Sequence, residues 1–149
     1  MYFRGRNLRS LDPKGRMTLP PEFRETLLSR SPGGRVMLTT YDRCIVGFPL
    51  PDWERFEDGM HRIKGGSETL RDFRRLVIGG ARDTAVDAQG RILLSRDHLH
   101  YSNIENDAVL VGQGPRFEIW EPSRLEAAMN RDFTGVAAEM AETGMDFVF

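Results

Sequence analysis

The amino-acid sequence predicts an α+β fold in which two copies of one β-rich unit close around a common core as a pseudo-twofold barrel with flanking helices. Three observations carry this. The phrase DPKGR at residues 12–16 returns as DAQGR at residues 87–91. The elements that follow each phrase come in the same order, offset by 72 to 75 residues (35 against 107, 12 against 87), which marks an internal duplication. The strands in each copy are short and alternate only weakly, so neither copy buries enough surface alone.

Taken in order, the opening strand carries Arg4, Arg6 and Arg9 and runs into Asp12-Pro13-Lys14-Gly15. In that turn Asp12 bonds the following backbone, Pro13 presets φ, and Gly15 accepts a positive φ. This reads as a type I turn closed by a glycine bulge. Asp87 and Gly90 keep the first and last of these roles, so both phrases are hairpin tips. After the first tip comes a short strand, Arg16 to Leu19, and a helix over PPEFRETLL that Pro21 can open. After the second come Arg91 to Leu94 and a short helix that Ser95 can cap.

Residues 35–49 read as a hairpin of apolar strands, and residues 107–122 as its counterpart, with Gly112 and Gly114 marking the turn. Each copy then enters a longer helix. In residues 51–63, Trp53, Phe56, Met60 and Ile63 recur at helical spacing. In the second copy Ser123 to Glu126 matches a capping box ahead of Leu125 and Met129. Between the copies, Lys64-Gly65-Gly66 is a loop. It leads to a helix with Leu70, Phe73 and Val77 on one side, ended by Gly79-Gly80.

The division expected is a first unit at 1–63, a connecting loop and helix at 64–81, a second unit at 82–131, and a C-terminal tail or weak helix at 132–149. The apolar DFVF ending of that tail could instead dock on a neighbouring subunit.

The 149 residues are 40% hydrophobic and 29% charged, the balance of an ordinary soluble globular protein. No apolar run approaches a membrane span, and Met1-Tyr2-Phe3-Arg4 lacks a signal-peptide apolar region. A cytoplasmic location is expected. The lone cysteine, Cys44, can form no internal disulfide and reads as a small buried strand residue.

The net charge of -1 hides an asymmetry. Residues 1–43 hold nine Lys or Arg against four acids, and the rest of the chain twelve against eighteen. Arginine outnumbers lysine nineteen to two, favouring forked, planar donors suited to phosphates and guanine edges. A GC-rich genome would account for the ratio, but not for the clustering.

Little points to catalysis. His98 and His100 have the spacing of a shared metal pair on a strand, but they follow a helix start and have no cysteine or paired carboxylates nearby. Gly112-Gln113-Gly114 lies between two strands rather than before a helix, so it is turn chemistry and not a phosphate loop. No serine sits in a nucleophile elbow. Asp12 and Asp87 could be imagined as an acid/base pair, yet each is explained by its turn. No enzyme activity, metal, cofactor, membrane partner or small-molecule substrate is expected.

Several stretches together resemble the MraZ family of bacterial transcription regulators, built from two SpoVT/AbrB-type units. They are LDPKGRMTLPPEFRETL and its degenerate copy VDAQGRILLSRDHL, the opening FRG, YDRCIVGFPLPDWE, and AVLVGQGPRFEIWEP. The likeness runs in order to about residue 130. It implies a swapped-hairpin barrel assembled within one chain, ring-shaped oligomers with tips facing DNA, and a nucleoid-associated protein. It also implies repression through short direct repeats upstream of the division and cell-wall gene cluster, the protein's own promoter included.

The family's Asp-x-x-x-Arg element falls on Asp12 and Arg16 and on Asp87 and Arg91. Arginines held on a rigid tip lose little freedom on docking and can reach phosphates or guanine O6 and N7. Arg4, Arg6, Arg9 and Lys14 are assigned to phosphate contacts, and Asp12, Gly15, Asp87 and Gly90 to shaping the tips. Lys14 has Gln89 as its counterpart, which leaves open whether both tips bind equally. In a ring each further tip would bind at a high effective concentration, which reconciles a near-neutral chain with a polyanionic partner. A ring-forming protein-interaction module, whose tips serve assembly, is the alternative.

Overall fold

The computed structural model describes residues 1–147; the last two residues of the DFVF ending lie outside the described residues. The elements in chain order are β1 (Arg6–Ser10), β2 (Arg16–Thr18), α1 (Pro21–Arg30), β3 (Arg35–Tyr41), β4 (Cys44–Pro49), α2 (Leu50–Arg62) and α3 (Glu68–Val77). Then follow β5 (Arg82–Ala85), β6 (Arg91–Leu93), α4 (Arg96–Ser102), β7 (Asp107–Gln113), β8 (Arg116–Trp120), α5 (Pro122–Met129) and α6 (Val136–Glu142).

Local chemistry explains most of the boundaries. Pro21 opens α1, where a missing N–H costs nothing. The Ser67 hydroxyl accepts the Leu70 N–H at 3.1 Å and starts α3. Three expectations need correcting. Ser95 holds the N-cap position of α4, but its hydroxyl bonds no helix N–H. Helix α5 is capped by Glu121 rather than Ser123: Pro122 takes the first helical turn, and the Glu121 carboxylate accepts the N–H groups of Ser123 and Arg124 at 3.1 and 2.9 Å. Gly112 lies inside β7, where a side chain would collide with the Arg4 backbone, and Gly114 (φ 75°) alone makes the turn.

The strands form an antiparallel six-stranded sheet in the order β1-β7-β8-β4-β3-β5 and a separate two-stranded ladder of β2 and β6. The order is palindromic under the repeat. Strand β1 pairs with the second hairpin (Arg6 opposite Val111), and β5 with the first (Arg35 opposite Ala85). Each copy therefore lends its opening strand to the other, and β4 and β8 meet at the centre of the sheet.

The expected closed barrel is not formed. Each tip ties its flanking strands by one backbone bond between strand ends, Asp12 N–H to Arg16 O at 3.0 Å and Asp87 N–H to Arg91 O at 2.9 Å. Strands β2 and β6, three residues each, then peel away and pair only with each other, leaving β1 and β5 as open edges.

The main core fills the space between the ladder and the large sheet. Met17 and Ile92 point into it from the ladder, and the rings of Phe3, Phe23 and Phe117 meet there with centroids 5.1 to 6.0 Å apart. On the opposite face, Cys44, Val46, Val111, Trp120 and Leu125 form a second cluster. Cys44 is fully buried, and burial pushes its thiol pKa upward, so it is inert at neutral pH. Trp53, Met60 and Val77 are buried as their spacing predicts, whereas Ile63 and Met129 are exposed. Helix α6 buries no residue.

Candidate nucleic-acid interface

Each tip is organised by its aspartate. Asp12 Oδ1 accepts the backbone N–H groups of Lys14 and Arg16 at 2.9 and 2.8 Å, and Oδ2 accepts Arg16 Nε–H at 2.6 Å. Asp87 repeats the pattern, taking the N–H groups of Gln89 and Arg91 at 3.0 and 2.9 Å and Arg91 Nε–H at 2.9 Å. Gly15 and Gly90 supply the left-handed corners at φ 84° and 80°, where a side chain would be strained. The corners also lock the tips together: Leu19 N–H donates to Gly90 O at 2.8 Å, and Leu94 N–H to Gly15 O at 2.9 Å.

Both aspartates are held below their ordinary pKa. The main cause is the backbone N–H of the arginine four residues on, with the guanidinium contributing and partial desolvation opposing. Because the folded pKa is depressed, the stability these groups add is complete above the ordinary aspartate pKa of about 3.9 and is lost as pH falls through the lower folded value. We therefore expect the Asp12 and Asp87 carboxyl carbons to titrate below free aspartate in an NMR series. Midpoints at or above the ordinary value would show that the tips are not held this way in solution.

The ladder register sets Arg16 opposite Leu93 and Thr18 opposite Arg91. With Met17 and Ile92 buried, alternation places Arg16, Thr18, Arg91 and Leu93 on the outer face. The arginine side chains are 29% and 26% exposed, and Leu93 is 52% exposed. With Nε engaged by Asp12, the terminal nitrogens of Arg16 have no hydrogen-bond partner among the described residues and are available for an outside acceptor. Those of Arg91 also face Gln89 Oε1 at 3.4 Å and Asp12 at 3.9 Å. A two-stranded ribbon is of the size a B-DNA major groove admits.

The basic residues of the opening strand do not gather as their sequence spacing implies. Arg9 turns toward the ladder, its Nε donating to Thr18 O at 3.2 Å and Nη1 to Leu8 O at 3.0 Å. Arg6, three residues earlier and so on the other face of β1, donates to the Met129 sulfur of α5. Arg4 precedes β1, eight residues before Asp12, which in an extended chain is about 25 Å away. Lys14 is exposed at the first tip. Arg9, Lys14, Arg16 and Arg91 thus surround the ladder, while Arg4 and Arg6 stand apart.

Sequence reading passed over Leu93 and Arg24. Aligning the two copies would have flagged both, since Thr18 answers to Leu93 and Arg24 to Leu99. The two histidines weighed for a metal diverge. His98 is buried, with Nε2 2.6 Å from Gly80 O, and His100 is exposed. Among the described residues no group of three or more His, Cys, Asp or Glu is placed to hold a metal ion, and no helix is long and apolar enough to cross a membrane.

The fold and its tips define a two-unit α+β protein that exchanges strands between its units and carries two aspartate-held arginines on a short outer ribbon. Comparison with known proteins agrees with that class. The MraZ protein family model matches twice, over residues 2–76 and 77–143. A transcriptional regulator MraZ of Nitratidesulfovibrio vulgaris strain Hildenborough is 56% identical over 149 residues, all of both chains. Those of Maridesulfovibrio salexigens and Acidithiobacillus ferrooxidans are 42% identical over all of both chains and 36% identical over 89% of this chain and 91% of the relative. This chain belongs to the MraZ family.

Proposed function

We propose that this protein is a sequence-specific DNA-binding transcriptional regulator of the cytoplasm and nucleoid. On this reading it acts as a repressor, binding short direct repeats upstream of the division and cell-wall gene cluster, its own promoter included, as a ring of identical subunits. The observation that carries the reading is the pair of arginines presented on the outer face of the β2–β6 ladder and oriented by aspartates of their own tips. Membership of a family whose relatives are named transcriptional regulators supports it.

The ladder offers the chemistry such a role needs. Arg16 and Arg91 sit diagonally across the ribbon, a spacing of about 7–8 Å between such neighbours. From there they can reach guanine edges or phosphates while their backbones are already ordered. Lys14 and Arg9 flank them for phosphate contacts that fix position without reading sequence. Asp12 and Asp87 are turned into their own tips, which keeps the carboxylates from meeting phosphates unpaired. One ladder supplies few contacts. Several tips on one ring, engaging repeats of matching spacing, would raise avidity by about 10² to 10⁴.

The deciding experiment is fluorescence anisotropy of the wild-type protein against its own upstream DNA and a scrambled duplex across a salt series, with oligomer mass measured by light scattering. The expected result is a preference for the upstream DNA and a log–log salt slope that grows with the number of engaged phosphates. Equal or absent binding to both duplexes would overturn the reading.

A further inference from the structure

The face of the large sheet that turns away from the ladder carries a cleft. Strands β4 and β8 meet beneath it, with Val46 directly opposite Glu118. Ile45, Phe117 and Ile119 turn inward to the main core, so alternation turns Phe48, Arg116 and Glu118 outward beside Val46. Helices α2 and α3 wall one side with the rings of Phe56 and Phe73, and the space enclosed is about 270 Å³. That falls just below the roughly 300–1,000 Å³ of sites for drug-sized ligands, leaving room for a smaller molecule.

The duplication does not explain this lining. In the second copy Tyr41 answers to Gln113, Phe56 to Ala128 and Val46 to Glu118 itself. The aromatic walls therefore occur once per chain, and a carboxylate stands where the repeat would put a valine. Phe48 and Phe56 lie stacked with centroids 6.2 Å apart, and Tyr41 meets Phe73 edge-on at 5.4 Å. The floor offers little polar competition, because the Thr39 hydroxyl is spent on Val77 O at 2.6 Å.

Asp42, Arg116 and Glu118 bring charge to the cleft. Asp42 faces Arg43 at 3.5 Å. Glu118 is half-buried, and its Oε1 accepts Trp120 Nε1–H at 2.9 Å. Arg116 and Glu118 stand two residues apart on one face of β8, about 6.6 Å along the strand. Even so, among the described residues neither enters an ion pair. A carboxylate partly withdrawn from water among apolar side chains is costly without a cation. A simple amine would satisfy Glu118 but meet Arg116 as a like charge, and a simple acid would do the reverse. A head that carries an ammonium and a carboxylate on one carbon satisfies both, and an aromatic side chain attached to it packs against the rings.

We propose that this cleft binds a free α-amino acid with an aromatic side chain, its carboxylate on Arg116, its ammonium on Glu118 and its ring among Phe48, Phe56 and Phe73. The site lies across the sheet from the β2–β6 ladder and stands whether or not the ladder binds DNA. The test is a ligand-observed NMR titration of the full chain, with oligomer mass and thermal melting checked throughout. The probes are L-phenylalanine, phenethylamine, which lacks the carboxylate, and hydrocinnamate, which lacks the ammonium.

L-phenylalanine should bind and raise the melting temperature as its concentration rises. Each single-charge analogue should bind about tenfold or more weakly, for want of one charge-assisted hydrogen bond. Glu118→Gln, whose amide oxygen can still accept the Trp120 N–H, should weaken L-phenylalanine by a similar factor and leave hydrocinnamate at least as tight. Arg116→Gln should weaken L-phenylalanine likewise and spare phenethylamine. Absence of binding by L-phenylalanine would overturn the site, as would wild-type affinity for it in Glu118→Gln. Equal affinity for all three probes would also overturn it, because the cleft would then take any apolar ring. So would a fall in oligomer mass in Glu118→Gln, which would show that a second copy of the chain covers the cleft.

Discussion

Replacing Arg16 with alanine is expected to abolish the preference for upstream DNA while leaving the fold and the oligomer intact. Arg16 lies on the outer face of a ladder whose buried side is Met17, so its removal opens no cavity. A bidentate arginine–guanine contact discriminates by about 1–3 kcal/mol, or roughly 5- to 150-fold per tip. On the proposed ring, loss at every tip would compound that factor. The variant also removes the guanidinium that bonds Asp12 Oδ2, leaving that oxygen only the more distant Arg91 guanidinium at 3.9 Å, and a less well neutralised carboxylate beside phosphates adds repulsion.

Asp12→Asn separates the two contributions, because an asparagine oxygen can still accept the Lys14 and Arg16 backbone N–H groups while the charge on Arg16 Nε is released. It should keep the tip and lose less specificity than Arg16→Ala. Arg91→Ala should cost less than Arg16→Ala, since the terminal nitrogens of Arg91 already face Gln89 and Asp12. Anisotropy with both duplexes reads these effects. If Arg16→Ala instead dissolves the oligomer with no specific loss in the intact fraction, the tips serve assembly.

The duplication and the two tips were legible because turn chemistry is local. An aspartate, a glycine and the residues between them fold the same way wherever they occur, so DPKGR and DAQGR announced their geometry. The exchange of β1 and β5 between the units was legible only through family resemblance, since strand partners far apart leave no local mark. Gly112 looked like a turn glycine because sequence shows no neighbouring backbone; it is a glycine because the Arg4 segment passes against it.

The same blindness hides how the basic N-terminal stretch divides. Counting charges along a strand takes no account of alternation, which turns Arg9 toward the ladder and Arg6 toward α5. Arg24 was passed over for the complementary reason. It lies in a helix spaced like any other, and only the fold carries it to the other unit's tip. Ser123 lost the cap of α5 to Glu121 because a proline at the first helical turn decides where the helix begins.

Phe117→Ala is the substitution expected to cost most in stability, about 3–5 kcal/mol. Phe117 is fully buried and comes from β8 in the second unit, while the rings it meets, Phe3 at 5.1 Å and Phe23 at 6.0 Å, belong to the first. A side chain on Gly47 of β4 would collide with the Phe117 ring, so that glycine is part of how the ring fits at the centre of the sheet. The cavity left by alanine would open where both units meet, and rigid backbone on either side could not collapse to fill it. For a chain of this size such a loss lowers the melting temperature by about 10 °C or more. Because the two units share this core and trade their opening strands, unfolding should remain a single transition that shifts as a whole, seen alike by calorimetry and by tryptophan fluorescence. Two separated transitions, or a cost below about 1 kcal/mol, would mean that the aromatic contact does not join the units and that each folds on its own.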